Sequence, residues 1–304
     1  MNALQDIAEL IIFPGGLFLM AIALIYQWID RKLIAQLQNR IGPRWFQPLA
    51  DYVKLLAKEE IVPDGVDRWL FLGLPVVAFA GVLTAAVYVP IGGVGPIHNF
   101  AGDLIVTIYL LSLFTMCTGL AGAMSRSRFS LMGAMRTLSQ LFSYEAPFLL
   151  ALLGPAVAAG SWQIDEIMRY ASEHPVLLIQ PISFAVALIG LMGKLEMPPF
   201  DAPEAPSEIV AGPLTEYSGR GLALFRLSRD VSLVVGMTLI AAFYLGGIHN
   251  PLDFLLKTGF LLFLVACLQV LFARLRIDQT VGLWWRYGML LILVQWLVLA
   301  AWWR

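Results

Sequence analysis

Arg68-Trp-Leu-Phe-Leu-Gly-Leu-Pro75-Val-Val-Ala-Phe-Ala-Gly-Val-Leu-Thr84-Ala-Ala-Val-Tyr-Val-Pro90 decides what kind of protein this is. Beyond Arg68 the run carries no charged side chain, and its length meets the roughly 20 apolar residues that a helix needs to cross a hydrocarbon layer. Hydrocarbon offers no water to backbone N–H and C=O groups, so such a segment satisfies them internally as a helix. Working outward with the same ruler gives seven more spans, at about 7 to 28, 100 to 124, 136 to 160, 176 to 197, 230 to 248, 252 to 273 and 281 to 303. The expectation is an all-α integral membrane protein with about eight transmembrane helices, forming a single membrane domain over residues 1–304.

Composition points the same way. Hydrophobic residues make up 59% of the 304 and charged residues 13%, with a mean hydropathy of +0.78, far from the half apolar and quarter charged balance of a soluble domain. The net charge of -1 carries no nucleic-acid signature. The two cysteines, Cys117 and Cys267, sit singly in apolar segments, which suits small core hydrophobes and provides neither a disulfide framework nor a metal-ligand set. The first apolar segment is long for a signal-peptide core, and Asp30-Arg31-Lys32 follows it in place of a small-residue cleavage site, so it is expected to remain as a membrane helix.

Basic residues partition by side. Arg31, Lys32, Arg40, Arg44, Lys54, Lys58, Arg68, Arg126, Arg128, Arg136, Lys194, Arg220, Arg226, Arg229, Arg274, Arg276 and Arg286 flank the odd-to-even connections, leaving Arg169, Lys257 and Arg304 opposite. The positive-inside rule then puts both termini outside and two long loops, 29–67 and 195–229, in the cytoplasm of a multi-pass cell-membrane protein. The amphipathic stretch from Leu49 to Lys58 suits either a docked cytoplasmic partner or a helix resting on lipid. Trp28, Trp45, Trp69, Trp284, Trp285, Trp302 and Trp303 fall near span ends, as an interfacial aromatic belt requires.

An ionisable group in hydrocarbon costs roughly 2.5–3.5 kcal/mol on insertion scales, so intramembrane carboxylates are functional candidates. Glu145 is the foremost, with Arg136 and Gln140 at helical distances to hydrate it. A neutral carboxyl bonded to another helix is the plainer alternative. Asp103 near a span end suits a headgroup contact or a cap, and Glu196 a boundary position paired with Lys194 or the loop. The segment Lys194-Leu-Glu196-Met-Pro-Pro-Phe-Asp201-Ala-Pro-Glu204-Ala-Pro-Ser-Glu208, continuing to Glu216 and Arg220, crowds carboxylates among prolines. Prolines forbid a long helix and hold short turns. Clustered like charges raise one another's pKa, which suits proton relay, while a solvated acidic loop is the bland reading.

His98, His174 and His249 all fall in outer connections, so no intramembrane histidine pair is available for a haem, and Gly92-Gly93-Val94-Gly95 lacks the lysine of a phosphate loop. No cofactor and no metal is expected in this chain.

Asp30-Arg31-Lys32-Leu33-Ile34-Ala35, Gln38-Asn39-Arg40-Ile41-Gly42-Pro43, Gln47-Pro48-Leu49-Ala50-Asp51 and Lys54-Leu55-Leu56 resemble the first cytoplasmic loop of the H subunit (mitochondrial subunit 1) of the respiratory complex I superfamily. Pro199-Phe200-Asp201-Ala202-Pro203-Glu204-Ala205 with Glu208, Gly212 and Glu216-Tyr217-Ser218 resembles that family's acidic loop, Ser143-Tyr144-Glu145 its buried glutamate, and Arg274 to Gln279 its last basic connection. The resemblance implies a membrane-arm subunit that docks a peripheral arm bearing Fe–S clusters and a large catalytic subunit, beside antiporter-like and small membrane subunits and lipid. It implies a proton or sodium path through Glu145, Glu196, Asp201, Glu204, Glu208 and Glu216, and docking through Arg31, Arg40, Arg44, Asp51, Lys54 and Arg220. The short Gly42-Pro43-Arg44-Trp45-Phe46-Gln47 loop and the acidic-loop run Gly212-Pro213-Leu214-Thr215-Glu216-Tyr217-Ser218-Gly219-Arg220 both resemble the group 4 membrane-bound hydrogenases and their sulfur-reducing relatives, with a nickel–iron centre in a partner subunit. The alternative is the quinone-reducing branch, where this subunit lines a quinone chamber. A stand-alone transporter is the competing class, but the two long loops differ and no inverted repeat is visible. A purely structural anchor is a third, and it has no need of Glu145.

Overall fold

The structure, a computed structural model, describes residues 12, 13 and 15–302. The expected start of the first span, Trp303, Arg304 and the side chain of Trp302 lie outside the described residues. The helices are α1 (Gly16–Leu37), α2 (Gln47–Ala57), α3 (Arg68–Val87), α4 (Asp103–Met124), α5 (Arg128–Ala159), α6 (Ile164–Glu173), the single turn α7 (Val176–Ile179), α8 (Pro181–Lys194), the turn α9 (Pro206–Ile209), α10 (Gly219–Tyr244), α11 (Pro251–Leu271), α12 (Ile277–Gly282) and α13 (Met289–Trp302). A π-helical turn over Leu283–Gly288 joins the last two. No strand occurs among the described residues.

Six of these stretches are long and apolar enough to cross a membrane: α3, α4, α5, α10, α11 and the run Ile277–Ala301. At the first expected span, α1 continues past the apolar stretch through Asp30, Arg31 and Lys32. At the fifth, the helix breaks at Gln180 into α7 and the 14-residue α8. The apolar stretch of α10 is 89% buried, against 33% in α11 and 28% in the last helix. So α10 is the centre of the bundle, contacting α1, α2, α3 and α8, while the flanking helices keep apolar faces for lipid or neighbours.

Between helices in lipid, apolar burial gives little drive, and close packing has to supply the contact. Small residues permit it: Leu138 of α5 sits over Gly119 of α4, and Leu191 of α8 over Gly236 of α10. Prolines inside spans leave carbonyls unbonded, because proline lacks the N–H that would reach back four residues. Pro75 frees the Phe71 carbonyl, and Tyr217 Oη donates to it at 3.0 Å while its ring stacks on Phe71. Pro155 frees the Ala151 carbonyl, which accepts from Tyr244 Oη at 2.6 Å.

One local expectation changes and another is decided. Trp284 is no interfacial anchor: it is 1% exposed, lying against Gly193, Gly288 and Phe200. Of the two roles open to Asp103, the structure has the cap and not the headgroup contact: it is fully buried, and its Oδ1 accepts at 2.8 Å from the N–H of Ile164, the first residue of α6, tying the start of α4 to the start of α6.

Candidate functional site

Helix α8 ends at Lys194, and the chain then reverses through Glu196 at φ 52, a left-handed conformation unusual for a residue with a side chain. Ala205 and Val210 share that region at φ 23 and 63, so three strained non-glycine residues fall within the acidic loop. Such strain persists only where the surroundings hold it, and it concentrates at functional sites. Here the surroundings are arginines. Arg274 Nε meets Asp201 Oδ1 at 3.2 Å, Arg229 Nη1 meets Glu204 Oε1 at 2.6 Å, and Arg136 Nη1 meets Glu208 Oε2 at 2.7 Å. Backbone bonds add to the clamp, from Arg229 to the Glu196 carbonyl, Arg136 to that of Ala202 and Arg274 to that of Asp201. Gln140 Nε2 donates to the Gly193 and Phe200 carbonyls at 2.8 and 2.9 Å, pinning both ends of the reversal. The far end of the loop seats its Gly212-Pro213 turn against Gly122 of α4 and Gly133 of α5, where a methyl group would collide with the Pro213 backbone.

Beneath the loop lies a cavity of about 550 Å³. Its charged wall comes from Asp30 and Arg31 of α1, Glu196 and Glu204 of the loop, and Arg226, Arg229 and Asp230 of α10; its apolar wall includes Phe114, Leu214, Leu222 and Phe225. Glu196 is 5% exposed, and its Oε1 is without a hydrogen-bond partner. Burial pushes its carboxyl up to about 7, with Glu204 adding to the rise and Arg229 opposing it. Burial also raises Asp201 against the pull of Arg274. The Arg136 hydrogen bond holds Glu208 below the usual carboxylate range.

The intramembrane carboxylate has a different partner from those the sequence proposed. Lys194, 1% exposed, sits 3.6 Å from Glu145 Oε2 and donates to Ser112 Oγ at 2.6 Å; Ser112 in turn bonds Glu145 Oε1. The ammonium lies 5.2 Å from the Phe148 ring centroid and 5.8 Å from that of Tyr144. Arg136 and Gln140, expected beside Glu145, are instead fastened to the acidic loop, and Lys194, expected beside Glu196 at the boundary, points into the bundle. Glu216 is half-buried and meets no arginine among the described residues.

The two long loops meet. Tyr52 donates to the Ala223 carbonyl at 2.5 Å, Ile61 N to Ser218 Oγ at 3.1 Å, and Gly221 N to Glu60 Oε1 at 3.2 Å. Of the residues expected to dock a partner, Arg31 pairs with Asp51 at 3.1 Å and Arg40 with the Gln38 side chain at 3.2 Å. Arg44, Lys54 and Arg220 are exposed. On α2, Leu49, Val53 and Leu56 form an apolar stripe that the rest of the chain leaves uncovered, with Trp45 74% exposed just before it.

Sequence reasoning missed Asp30, Arg226, Asp230 and Gln269 as cavity residues. Asp30 accepts from Gln269 Nε2 at 3.2 Å. Three of them had a visible signal: charge immediately beside an apolar run, on a helix whose periodicity carries it past that run. Among the described residues no group of three His, Cys, Asp or Glu side chains could hold a metal ion.

Comparison with known proteins supplies the family. Residues 10–300 match the family described as NADH dehydrogenase. The H subunit of the NADH-quinone oxidoreductase of Carboxydothermus hydrogenoformans is 36% identical over 287 residues, covering 89% of this chain and 81% of that protein. Its counterpart, the NADH-quinone oxidoreductase H subunit of Thermomicrobium roseum, is 35% identical over 289 residues, covering 85% of each. An H subunit of the same type of enzyme from Syntrophobacter fumaroxidans, the one numbered 2, is 34% identical over 316 residues, covering 97% of this chain and 95% of that protein. With a match running almost from end to end, and with these relatives, the chain belongs to the NADH dehydrogenase family, as a multi-pass membrane protein.

Proposed function

We propose that this chain is the H-type membrane subunit of a multisubunit quinone-reducing oxidoreductase, docking the peripheral redox arm and coupling its electron transfer to ion movement. The observation that carries the proposal is the acidic loop, clamped by Arg136, Arg229 and Arg274 over a cavity of about 550 Å³ and abutting the buried Lys194–Glu145 pair. A pocket of this size suits a ring-bearing small molecule, since ligand sites run from about 300 to 1,000 Å³ with mostly apolar walls and a few fixed polar groups. Phe114 and Phe225 supply apolar ring contact, and Arg31 supplies donors. The short Gly42–Gln47 loop favoured the hydrogenase-type branch. The relatives named as NADH-quinone oxidoreductase subunits support the quinone-type reading instead.

On this reading the joined loops and the apolar stripe of α2 form the platform for the peripheral arm, since an exposed apolar patch of this kind marks an interface. Arg40, Arg44, Lys54 and Arg220 surround it with donors for a partner's carboxylates. Reduction in the arm places negative charge above the loop. That charge raises proton affinity at Glu196 and loosens the arginine pairs, and protons pass by way of Glu196 toward Lys194 and Glu145. Leu214→Trp, which fills the cavity, tests this in the purified complex: quinone reduction should fall at least tenfold with the clusters still reducible by the electron donor. Unchanged quinone reduction, or hydrogen evolution in its place, would refute the quinone reading.

A further inference from the structure

On the face opposite the arginine-rich loops, α6, α7 and the ends of α5 and α13 enclose a second cavity, of about 410 Å³. Tyr170 and His174 are on its wall with Val176 and Leu299, and Gln180 lines its interior. Gln180 is 1% exposed, yet neither its Nε2 nor its Oε1 has a hydrogen-bond partner. Ser183, one turn further on, is fully buried beside Tyr244. Both side chains lie over Gly154 of α5, a position where a methyl group would strike Gln180 Oε1. The break between α7 and α8 at Gln180 gives the amide its place, because α8 begins afresh at Pro181.

A buried amide with both polar atoms unsatisfied on the wall of a cavity this large calls for water, which fills polar cavities with two to four partners per molecule. Ser183 also begins a line of small residues. Ser183, Ala187, Gly190 and Lys194 are spaced by four, three and four residues, one face of a helix. Over that face, which packs against α5, Ser183 and Lys194 are about 16 Å apart along the axis. The residues between carry nothing larger than a methyl group on α8, and at Gly190 the Phe148 ring of α5 closes over the face, with a built methyl 2.7 Å from its Cδ2.

We infer that this cavity is a hydrated vestibule that admits water, and the protons water carries, from the opposite face as far as Ser183, with the Phe148 ring separating it from the Lys194–Glu145 pair. The vestibule gives the bundle access from the side away from the acidic loop. Its existence does not depend on the coupling role proposed above, so the two can fail separately.

The test uses the assembled complex in vesicles, with a small membrane-impermeant methanethiosulfonate added on the face opposite the arginine-rich loops and modification read on this chain's own peptides by mass spectrometry. Ser183→Cys and Gln180→Cys should react within about tenfold of Glu173→Cys, which is on the exposed surface, while Val235→Cys in the dry core does not. Lys194→Cys, beyond the ring, should react only when Phe148→Ala is added. Ser183→Cys and Gln180→Cys as inert as Val235→Cys would overturn the vestibule, and Lys194→Cys reacting with Phe148 intact would overturn the barrier. If the variants do not assemble, hydroxyl-radical footprinting of the unaltered complex decides. Val176 and Leu299, only 1% and 8% exposed, should oxidise like surface residues if water fills the cavity, and oxidation no greater than at Val235 rejects it.

Discussion

Lys194→Met and Glu145→Gln, singly and together, form the sharpest test of the buried pair. At 3.6 Å the Coulomb attraction is about 4–5 kcal/mol for an effective dielectric near 20. Removing one partner of a buried pair strands the other charge at a cost of about 3–5 kcal/mol, while replacing both is often close to neutral. The two singles should differ. Glu145→Gln strands a cation that is 1% exposed, toward the upper end of that range; Lys194→Met strands a carboxylate that is 21% exposed and bonded to Ser112, toward the lower end. At about 2 °C per kcal/mol for a domain of this size, thermal inactivation of the assembled complex should fall by roughly 6–10 °C in the singles. The double variant should recover most of that loss. Ion translocation should stay abolished in the double, since it restores packing without restoring a titratable pair. Additive losses in the double would refute the pairing, and normal translocation in the double would refute its place in the ion path.

Glu196→Gln reports on the loop carboxyl. Burial lifts Glu196 from its ordinary value of 4.5 to about 7 in the folded protein, so the folded state binds that proton more tightly, and its contribution is complete below about 4.5 and lost as pH rises through about 7. The wild-type complex should therefore lose thermal stability between pH 5 and pH 7.5 at a steeper slope than Glu196→Gln, as scanning fluorimetry across that range would read; parallel slopes would count against a buried titrating Glu196. Tyr217→Phe and Tyr244→Phe each uncover a carbonyl that a proline has left free, which should cost about 1–3 kcal/mol apiece. Changes under 0.5 kcal/mol in denaturation of the detergent-solubilised complex would mean those carbonyls find other donors. Gly133→Ala pushes against the Gly212-Pro213 turn and should detach the acidic loop, seen as new protease cutting between residues 200 and 218, whereas Gly282→Ala, with open space around it, should not.

The helical architecture was legible because hydrocarbon imposes one rule on the backbone and composition reports it directly: α3, α4, α5, α10 and α11 fall where apolar runs exceed a membrane's thickness. Boundaries were not, because helices run past the apolar stretch wherever their charged ends find partners. Arg229 and Asp230 sit well inside α10, which begins at Gly219, and Arg136 well inside α5, which begins at Arg128. The acidic loop's content was legible too, but its pairings were not, since each carboxylate finds its arginine between 25 and 73 residues away. Lys194 was misread for a subtler reason. Its neighbour Glu196 looked like its natural partner, and only the left-handed turn at Glu196 sends the two side chains to opposite sides of the loop.

That turn divides the polar residues into two classes with different energetics. Asp201, Glu204 and Glu208 are held by arginines from three separate elements, and every partner keeps at least 22% side-chain exposure. Ion pairs that open to water contribute little and exchange readily. Lys194 is enclosed, so separating it from Glu145 exposes a charge to a low-dielectric interior. Under the proposed function, a charge arriving above the loop re-sorts these arginine pairs at small cost. The enclosed Lys194–Glu145 pair does not re-sort at such small cost. Under the proposed function, the loop is the part that moves and the buried pair the part that stays fixed beneath it, and Gln140, bonded to both Gly193 and Phe200, is the side chain that joins them.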